Sequence, residues 1–320
     1  MKKVFVCAGG AGFIGSNLVE ALLSNPDTSE VRVLDDFSSG KMSHLSHLGK
    51  DIDSGRLKIF THDLTDPESV HHKAFKGADV VYLLAANPDA RRGIEDTMLD
   101  LRLETILTRN VLEGMRLAGV KKIIFSSSGT VYGDIGLKVA TEGIGERLPL
   151  SLYGAGKVAS EALISAFCGT FGFSAVIYRF GNVVGAPATH GAIFDFINQL
   201  KEHPKRLTVL GDGNQTKPYL YVDDVVDALI FAQGLIPLRK CEAYNLAPSS
   251  ETSVKFIVNE LVRQMKLKPK ITYGTTSSGW AGDIPQSRMN MDKLRAAGFC
   301  IYMPSDKAVA NAIKRILETI

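Results

Sequence analysis

A glycine-rich turn directly after the first apolar segment constrains the fold of this chain more than any other feature. Residues 4–8 are apolar, three glycines spaced three apart follow, and residues 13–23 then show helical apolar spacing. The first glycine permits a tight turn, the second lets the backbone approach a pyrophosphate, and the third allows close helix–strand packing. The helix N-terminus offers N–H groups and a positive dipole end to the anion. We therefore predict that this turn contacts a dinucleotide through Gly9, Gly12, Phe13, Ile14 and Gly15.

An acidic residue after the second apolar segment, residues 31–34, indicates which dinucleotide is bound. Asp35 follows Gly15 by 20 residues. A carboxylate there accepts hydrogen bonds from a ribose 2′-hydroxyl and repels a 2′-phosphate, so the sequence favours NAD over NADP. After later strands, an acid can meet the adenine amino group, and small residues let the dinucleotide lie against the backbone. The further predicted cofactor contacts are Asp36, Ser39, Gly40, Asp63, Leu64, Leu84, Ala85, Ala86, Ser126 and Phe180.

Short apolar segments alternate with helical patterns through the first half of the chain. The predicted strands are residues 4–8, 31–34, 57–60, 80–84, 122–127 and 175–178, and the predicted helices are 13–23, 96–118 and 153–171. Continuous apolar strands of this kind are typical of a parallel sheet covered by helices on both faces. We therefore predict an α/β fold, a doubly wound parallel sheet of the Rossmann type, over residues 1–182.

The pattern loosens after residue 182, where short strands mix with helices. The predicted strands are 207–210, 243–246 and 271–273, and the predicted helices are 193–201, 224–233, 253–265 and 306–318. We interpret residues 183–320 as mainly a smaller α+β substrate-binding lobe that caps the carboxyl ends of the sheet. The two domains are expected to be interleaved, with the chain near residues 220–250 returning to the first domain.

Composition argues against several functional classes. The 320 residues carry a net charge of +3 without a polybasic run, which does not favour nucleic acid or an anionic membrane as a partner. No apolar stretch reaches the ~20 residues that a membrane span needs. The four cysteines are far apart and form no CxxC or Cys/His cluster. Such spacing indicates a reducing compartment without a zinc site or a disulfide framework, so we expect a cytoplasmic protein with no bound metal.

A tyrosine and a lysine at the start of the helix predicted over residues 153–171 indicate a reaction centre. Tyr153 and Lys157 are four positions apart, which places them on the same helix face. A tyrosine normally keeps its proton up to about pH 10, and a neighbouring ammonium group lowers that pKa by favouring the phenolate. The hydroxyl-rich segment 126–130 ends the fifth predicted strand, at the sheet edge where ligands bind. Its hydroxyls are therefore expected to lie near the tyrosine.

Six motifs together resemble those of the extended short-chain dehydrogenases/reductases, and they span nearly the whole chain. They are GGAGFIG (9–15), SSSGTVYG (126–133), SLYGAGK (151–157), YRFGNVVG (178–185), GDGNQTK (211–217) and YVDD (221–224). Within that family the chain is most similar to nucleotide-sugar epimerases of the UDP-glucose/UDP-galactose 4-epimerase type.

The resemblance implies a reaction that oxidises and then reduces one sugar carbon. Tyr153 would take the proton of the 4-hydroxyl while hydride leaves C4 for NAD⁺, and the 4-keto sugar would turn over before both return. It also implies that Ser128, helped by Thr130, hydrogen-bonds the sugar oxygen and that Lys157 keeps Tyr153 acidic and fixes the ribose. The partner would be a nucleotide-diphosphate sugar. A homodimer is expected, because the family dimerises through the helices that correspond to residues 96–118 and 153–171.

The same resemblance assigns the substrate contacts less evenly. Lys217 occupies a place often held by arginine. The positive charge is kept, but the bidentate hydrogen bonding of a guanidinium group to phosphate is lost. Trp280 stands where a second phosphate-binding arginine is expected, and Arg288 is the candidate to compensate. Glu104 stands where an asparagine near the cofactor is expected. The predicted substrate contacts are Asn87, Ser128, Thr130, Tyr153, Asn182, Lys217, Tyr219 and Arg288.

Other reactions on the same scaffold stay open at this point. The 4,6-dehydratases and sugar-acid decarboxylases of the family carry an acid beside the catalytic hydroxyl. This chain has Gly129 and Thr130 there, and neither can serve as a general acid or base of that strength. Epimerisation at another carbon stays open. A dinucleotide sensor without catalysis would be favoured by the loss of Tyr153 or Lys157, and both are present.

Overall fold

The computed structural model describes residues 2–235 and 241–319, in which strands and helices alternate. The strands are β1 (Lys3–Ala8), β2 (Thr28–Asp35), β3 (Leu57–Thr61), β4 (Val80–Leu83), β5 (Lys122–Ser128), β6 (Ser174–Phe180), β7 (Asn182–Val184), β8 (Arg206–Val209), β9 (Thr216–Lys217), β10 (Tyr219–Tyr221), β11 (Cys241–Leu246), β12 (Thr252–Ser253) and β13 (Lys270–Tyr273). The α-helices are α1 (Phe13–Ser24), α2 (Gly49–Asp53), α3 (Leu107–Leu117), α4 (Leu152–Phe171), α5 (Ala192–Glu202), α6 (Val222–Leu235), α7 (Val254–Met265), α8 (Asp292–Ala296) and α9 (Ser305–Thr319).

Seven parallel strands form one sheet in the order β3–β2–β1–β4–β5–β6–β11. The direction in which the chain adds strands reverses between β1 and β4. In open α/β sheets this reversal opens a crevice for ligands outside the carboxyl ends of the strands. The predicted doubly wound sheet of the Rossmann type is therefore confirmed, and its topology marks the place of the functional site.

Successive residues of β1 pack into different cores, because side chains alternate between the two faces of a strand. Phe5 and Cys7 lie in a core cluster with residues of α1 and α6, whereas Val6 and Ala8 lie in a second cluster with residues of α3 and α4. All four are at most 2% exposed. Burial on both faces explains why the strand is a continuous apolar segment in the sequence.

The helix predicted over residues 96–118 is shorter and less regular in the structure. Residues 96–98 are not helical, and the helix that follows contains a π-helical segment, Leu101–Ile106, before it continues as α3. A π-helical turn accommodates extra backbone relative to an α-helix and so rotates the residues on either side of it. Apolar spacing in the sequence does not report this change. Within the segment, Glu104 is only 1% exposed.

A smaller α+β lobe has its own core, to which α5, α7 and α9 contribute Ile197, Leu261 and Ile313. In this lobe β8 pairs with β13, while the short strands β9 and β12 pair with each other. The chain returns to the main sheet through α6, which packs on α1, and β11, which pairs with β6. Residues 236–240 of the returning stretch predicted near 220–250 lie outside the described residues. Among the residues that are described, no helix is long and apolar enough to cross a membrane.

We expect Leu18→Ala to lower the free energy of unfolding by about 2–5 kcal/mol, because it leaves a cavity in a closely packed core. Leu18 belongs to α1 and is fully buried in the first core cluster. Urea denaturation followed by circular dichroism measures the change. Leu137→Ala removes a side chain that is 73% exposed and should change the same free energy by less than about 0.5 kcal/mol. Equal effects of the two substitutions would contradict the core described above.

Candidate active site

A cavity of about 490 Å³ lies at the carboxyl edge of the sheet, across the point where the strand order reverses. The predicted cofactor contacts that line it are Gly9, Gly12, Phe13, Ile14, Gly15, Asp35, Asp36, Ser39, Asp63, Leu64, Leu84, Ala85, Ala86, Ser126, Tyr153, Lys157 and Phe180. The predicted substrate contacts that line it are Asn87, Ser128, Thr130, Tyr153, Asn182, Lys217 and Tyr219. One cavity therefore holds residues from the sheet edge and residues from the smaller lobe.

The glycine turn after β1 forms one wall of the cavity. Gly9 has φ +82°, and a Cβ atom there would come within 2.5 Å of the Ala85 amide nitrogen on the neighbouring β4 loop. A Cβ atom on Gly15 would overlap the carbonyl oxygen of Gly9. Among the described residues no side chain caps the N-terminus of α1, and no acidic residue lies in its first turn. Free helix N–H groups beside close-packed glycines fit the pyrophosphate of a dinucleotide.

Asp35 is fixed at the end of β2 by two backbone hydrogen bonds. Its carboxylate oxygens accept from the amide N–H groups of Ala11 and Phe37, each at 2.9 Å. Burial raises the pKa of this carboxyl group, and the two hydrogen bonds oppose that rise. Gly40, a predicted cofactor contact, is not among the residues that line the cavity. A Cβ atom there would come within 2.8 Å of the Asp35 carboxylate, so this glycine makes room for the acid.

Lys157 reaches the cavity from a buried position on α4. Its Nζ donates to the Ser126 carbonyl oxygen at 2.9 Å and forms an ion pair with Glu104 Oε2 at 2.9 Å. The same ammonium lies 5.5 Å from the centre of the Tyr153 ring. Lysine and tyrosine thus share one helix face, as their spacing predicts. The glutamate partner comes from the π-helical segment and was missing from the predicted site.

The charges around Tyr153 act on its pKa in opposite directions. Burial raises the pKa of its phenol, the Lys157 ammonium lowers it, and the Glu104 carboxylate raises it again. A hydrogen bond with Ser128 lowers it. For Lys157, burial acts to lower the pKa, but Glu104 and Tyr153 outweigh it and the net shift is upward. The lysine therefore keeps its charge beside the phenol.

Ser128 ends β5 at the cavity wall, next to a turn that orients its hydroxyl. The Ser128 oxygen accepts from the Thr130 amide N–H at 3.2 Å and from the Thr130 hydroxyl at 3.0 Å. Because the Ser128 oxygen accepts both of these hydrogen bonds, its own proton is available to donate to another acceptor. A hydroxyl donor beside a tyrosine phenol and a lysine ammonium can bind the oxygen of an alcohol or a carbonyl.

The lobe contributes a lysine that is already paired. Lys217 Nζ contacts Asp283 Oδ1 at 2.8 Å and also donates to the Ile284 carbonyl oxygen. Arg288, predicted to compensate for a missing arginine, lies outside the cavity wall, and its Nε pairs with Glu251 at 3.1 Å. Its position in the sequence did not reveal this direction of the side chain, and its contact with a substrate stays a prediction. Trp280 and Asp283 line the cavity in its place.

Asn87 lines the cavity, but its amide group is engaged by the protein. Its Nδ2 donates to Asp100 Oδ1 at 2.8 Å, and its backbone N–H donates to Glu104 Oε1 at 3.0 Å. Its side-chain oxygen accepts from the Asp89 amide. The hydrogen bonds of Asn87 therefore shape the loop after β4 and join it to the helix that carries Asp100 and Glu104.

A second buried ion pair lies under the reaction centre and was also missed in the sequence. Arg179 on β6 holds Glu161 of α4 through two hydrogen bonds of 2.9 and 2.7 Å. Glu161 also accepts from the Ser127 hydroxyl at 2.6 Å and from Arg147 at 2.8 Å. This network ties β5, β6 and α4 together next to Ser128. An arginine within an otherwise apolar strand was its only signal in the sequence, because buried charges are found with partners.

Comparison with known proteins defines the class of this site. Residues 5–247 match the model of the NAD dependent epimerase/dehydratase family. The chain belongs to this family, as the sequence motifs predict, and it is an NAD-dependent enzyme. The glycine turn, the uncapped helix and the acid at the end of β2 are consistent with that cofactor.

Individual relatives narrow the class without fixing the reaction. The UDP-glucose 4-epimerase of Mycolicibacterium smegmatis is 32% identical over 314 residues, which are 97% of this chain and 96% of the relative. A crystal structure of a UDP-galactose 4-epimerase superimposes with a TM-score of 0.87 at 31% identity and covers 99% of both chains. A UDP-N-acetyl-alpha-D-glucosaminuronate decarboxylase of Bacillus cytotoxicus is 28% identical over 317 residues, 95% of this chain and 94% of the relative.

We expect Gly12→Ala to weaken NAD binding on the order of tenfold while the protein stays folded. Gly12 lies at the cavity wall with an extended backbone, and a Cβ atom there would meet only the Gly9 carbonyl oxygen, at 3.3 Å. The fold therefore tolerates the methyl group, which takes space beside the expected pyrophosphate. Calorimetric titration of cofactor-stripped protein measures the affinity.

Gly169→Ala is the matched control for this substitution. Gly169 lies in α4, and an added Cβ atom has nothing within 4 Å. NAD affinity should be unchanged in this variant. Unchanged affinity in Gly12→Ala as well would show that the cofactor does not approach the glycine turn.

Proposed function

We propose that this enzyme is a nucleotide-sugar 4-epimerase of the UDP-glucose/UDP-galactose type. The observation that carries the proposal is the grouping of Tyr153, Lys157 and Ser128 in the wall of a cavity that residues of the glycine turn and of the smaller lobe also line. The epimerases among its relatives, which match over nearly the whole chain, support the same reaction.

Tyr153 takes the proton of the sugar 4-hydroxyl and later returns a proton to the same oxygen. Lys157 favours the phenolate form that this step needs, because a positive charge nearby stabilises the negative one. Ser128 donates a hydrogen bond to the sugar oxygen and holds it near the phenol. Bound NAD would supply the acceptor, and then the donor, of the C4 hydride. Between the two transfers the sugar must turn over within the cavity, so the grip on the sugar ring has to be weaker than that on the diphosphate.

The residues that would hold the cofactor and the substrate line the same cavity. The start of α1 with its glycines takes the pyrophosphate of NAD, and Asp35 takes the adenosine ribose. In the lobe, Lys217, Asn182 and Tyr219 are the proposed contacts for the uridine diphosphate of the substrate. The proposed meeting point of nicotinamide and sugar is at the end of β5 and the start of α4, which carry Ser128 and Tyr153.

The alternative is another nucleotide-sugar reaction of the family: epimerisation at a different carbon, dehydration or decarboxylation. The decarboxylase relative keeps this open. The limited space around Gly129 argues against an acidic residue beside Ser128. A Cβ atom at Gly129 would come within 2.9 Å of the Met289 sulfur, so a longer acidic side chain has no room without displacing that methionine.

We propose a homodimer on the faces of α3 and α4. Both helices carry exposed apolar side chains, Leu117 on one and Leu152 and Phe171 on the other, each at least 40% exposed. Leu101, at 43%, adds to them from the π-helical segment. Sedimentation analysis of the purified protein tests this, and a monomer at micromolar concentration would contradict it.

The test of the reaction is a panel of nucleotide sugars incubated with the purified protein without added NAD. The proposal requires that UDP-glucose and UDP-galactose interconvert and that no carbon dioxide or water is lost. Product analysis by nuclear magnetic resonance distinguishes a new isomer from a dehydrated or decarboxylated product. Turnover of a different sugar into its epimer at another carbon would favour the alternative.

We expect Tyr153→Phe to lower kcat by ~10²–10⁴ or more, because the variant keeps the ring but loses the group that takes the proton. Folding and NAD content should stay near the wild-type values. Tyr302→Phe removes a hydroxyl from a side chain that is 88% exposed, and it should leave the rate unchanged. If Tyr153→Phe keeps most of its activity on a sugar that the wild type epimerises, the mechanism is refuted.

We expect Lys217→Ala to raise KM by about tenfold or more and to change kcat far less. A diphosphate contact remote from C4 stabilises the bound substrate and the transition state about equally. The loss also leaves Asp283 without its lysine, and its charge then repels the diphosphate. Steady-state kinetics decide, with Lys255→Ala, an exposed lysine on α7, as the control. A large fall in kcat with an unchanged KM would place Lys217 in the chemical step.

A further inference from the structure

A buried carboxylate that the proposed reaction does not use lies beside the catalytic lysine. Glu104 is 1% exposed, and its Oε2 lies 2.9 Å from Lys157 Nζ. Its other oxygen, Oε1, accepts the Asn87 amide N–H at 3.0 Å. Lys157 has the same low exposure. The pair is therefore shielded from water. Charges buried in this way interact more strongly than charges at a surface.

Local structure holds this carboxylate in place from several sides. The π-helical segment Leu101–Ile106 directs it inward. Gly156 on α4 provides the space, because a Cβ atom there would lie 2.6 Å from the Glu104 Cβ. The Ser160 hydroxyl donates to the Glu104 carbonyl oxygen at 2.9 Å and joins the two helices. A π-helical turn, a glycine and a serine thus all serve the placement of one acid.

The charged groups that face this pair come from two elements. Tyr153 and Lys157 lie on α4, together with Glu161, whose charge acts on Lys157. Asp100 precedes the π-helical segment and acts on both Glu104 and Tyr153. The loop after β4 presents Asn87, which is neutral. Lys157 is the cation that acts on Glu104, and Glu104 is the acid in direct contact with Lys157.

We propose that Glu104 is a positioning residue that holds the Lys157 ammonium in place and offsets its charge, and so sets the pH at which Tyr153 becomes a base. The assignment of Tyr153 as the base rests on the proposed function. The effect of Glu104 on the ionisation of Tyr153 does not, because it follows from the contacts alone.

The direction of the effect follows from the charges. An ionised Glu104 partly cancels the field of Lys157, so the phenolate is stabilised less and the pKa of Tyr153 is higher than with the lysine alone. Burial raises the pKa of Glu104 to about 7, although Lys157 opposes the rise. As the pH falls through that value, Glu104 takes up a proton, and its charge no longer opposes the effect of Lys157 on the tyrosine. The phenolate then resists protonation over a wider range of pH.

Glu104→Gln tests the inference, because it keeps the shape of the side chain and removes its charge. Ultraviolet titration of tyrosinate in NAD-saturated protein measures ionisation without any substrate. Subtracting the curve of Tyr153→Phe from that of the wild type isolates the titration of Tyr153. For Glu104→Gln, the curve of the variant that carries both Glu104→Gln and Tyr153→Phe is subtracted instead. We expect the pKa of Tyr153 to fall by about one unit or more in Glu104→Gln. An unchanged or higher pKa would overturn the inference.

Two controls separate the charge from other effects of substitution. Glu104→Asp keeps the carboxylate and should keep the pKa of Tyr153 close to the wild-type value. Glu113→Gln removes a carboxylate from α3 that pairs with Arg116 at the surface, and it should leave the titration unchanged. If Glu104→Gln is not recovered folded, Glu104→Asn, with its smaller amide, is titrated in the same way and carries the same expectation.

The pH profile of the reaction gives a second measurement. The acid limb of kcat/KM should move to lower pH in Glu104→Gln by the same amount as the titration, whereas a purely structural role would lower the rate equally at every pH. Failure of the proposed function would look different. No nucleotide sugar would then be epimerised by the wild type, while the titration would still show the shift.

Discussion

The buried charge of Lys157 imposes more on the surrounding structure than any other interaction. An ammonium group at 1% exposure is strongly destabilised unless it is paired and hydrogen-bonded. Here a carbonyl oxygen at the end of β5 and a carboxylate from the π-helical segment supply those partners. Meeting this demand requires α4 to approach the neighbouring helix closely, which the absence of a side chain at Gly156 allows. The lysine therefore determines the local backbone as well as the local chemistry.

The sheet topology explains why this charge lies where a cofactor and a sugar can meet. Parallel strands end at one edge, so the glycine turn, Asp35 and Ser128 are brought together by connections of very different length. The Arg179–Glu161 pair then joins β6 to α4 under that edge. A hydroxyl on β5 bonded to the same carboxylate fixes the third element. The proposed reacting groups on β5 and α4 thus keep a defined geometry, as orientation-dependent catalysis requires.

The sequence predicted the sheet and the proximity of Tyr153 to Lys157 because both have short-range signatures. Buried parallel strands are continuous apolar segments, and a tyrosine and a lysine four apart share a helix face whatever surrounds them. The features that the sequence did not show are the directions of side chains and their distant partners. Arg288 is close in sequence to the cavity residues but pairs with Glu251, and Gly40 packs behind Asp35. Glu104 stood out as an unusual residue, but its contact with Lys157 depends on a π-helical turn that apolar spacing does not show.

Two buried glutamates flank the same lysine, and the difference between them explains why only one is suited to adjusting the base. Glu161 is held by two arginines and a serine hydroxyl, so its negative charge is matched by more than one positive charge. Of the residues that the structure describes, Lys157 is the cation paired with Glu104, and a second acid, Asp100, acts on the same carboxyl group. A change in its charge is therefore not absorbed by other partners. It alters the net positive field at Tyr153, because the Lys157 ammonium contacts the carboxylate and lies over the tyrosine ring. Protonation of Glu104 would thus change the pKa of the Tyr153 phenol, the proposed base.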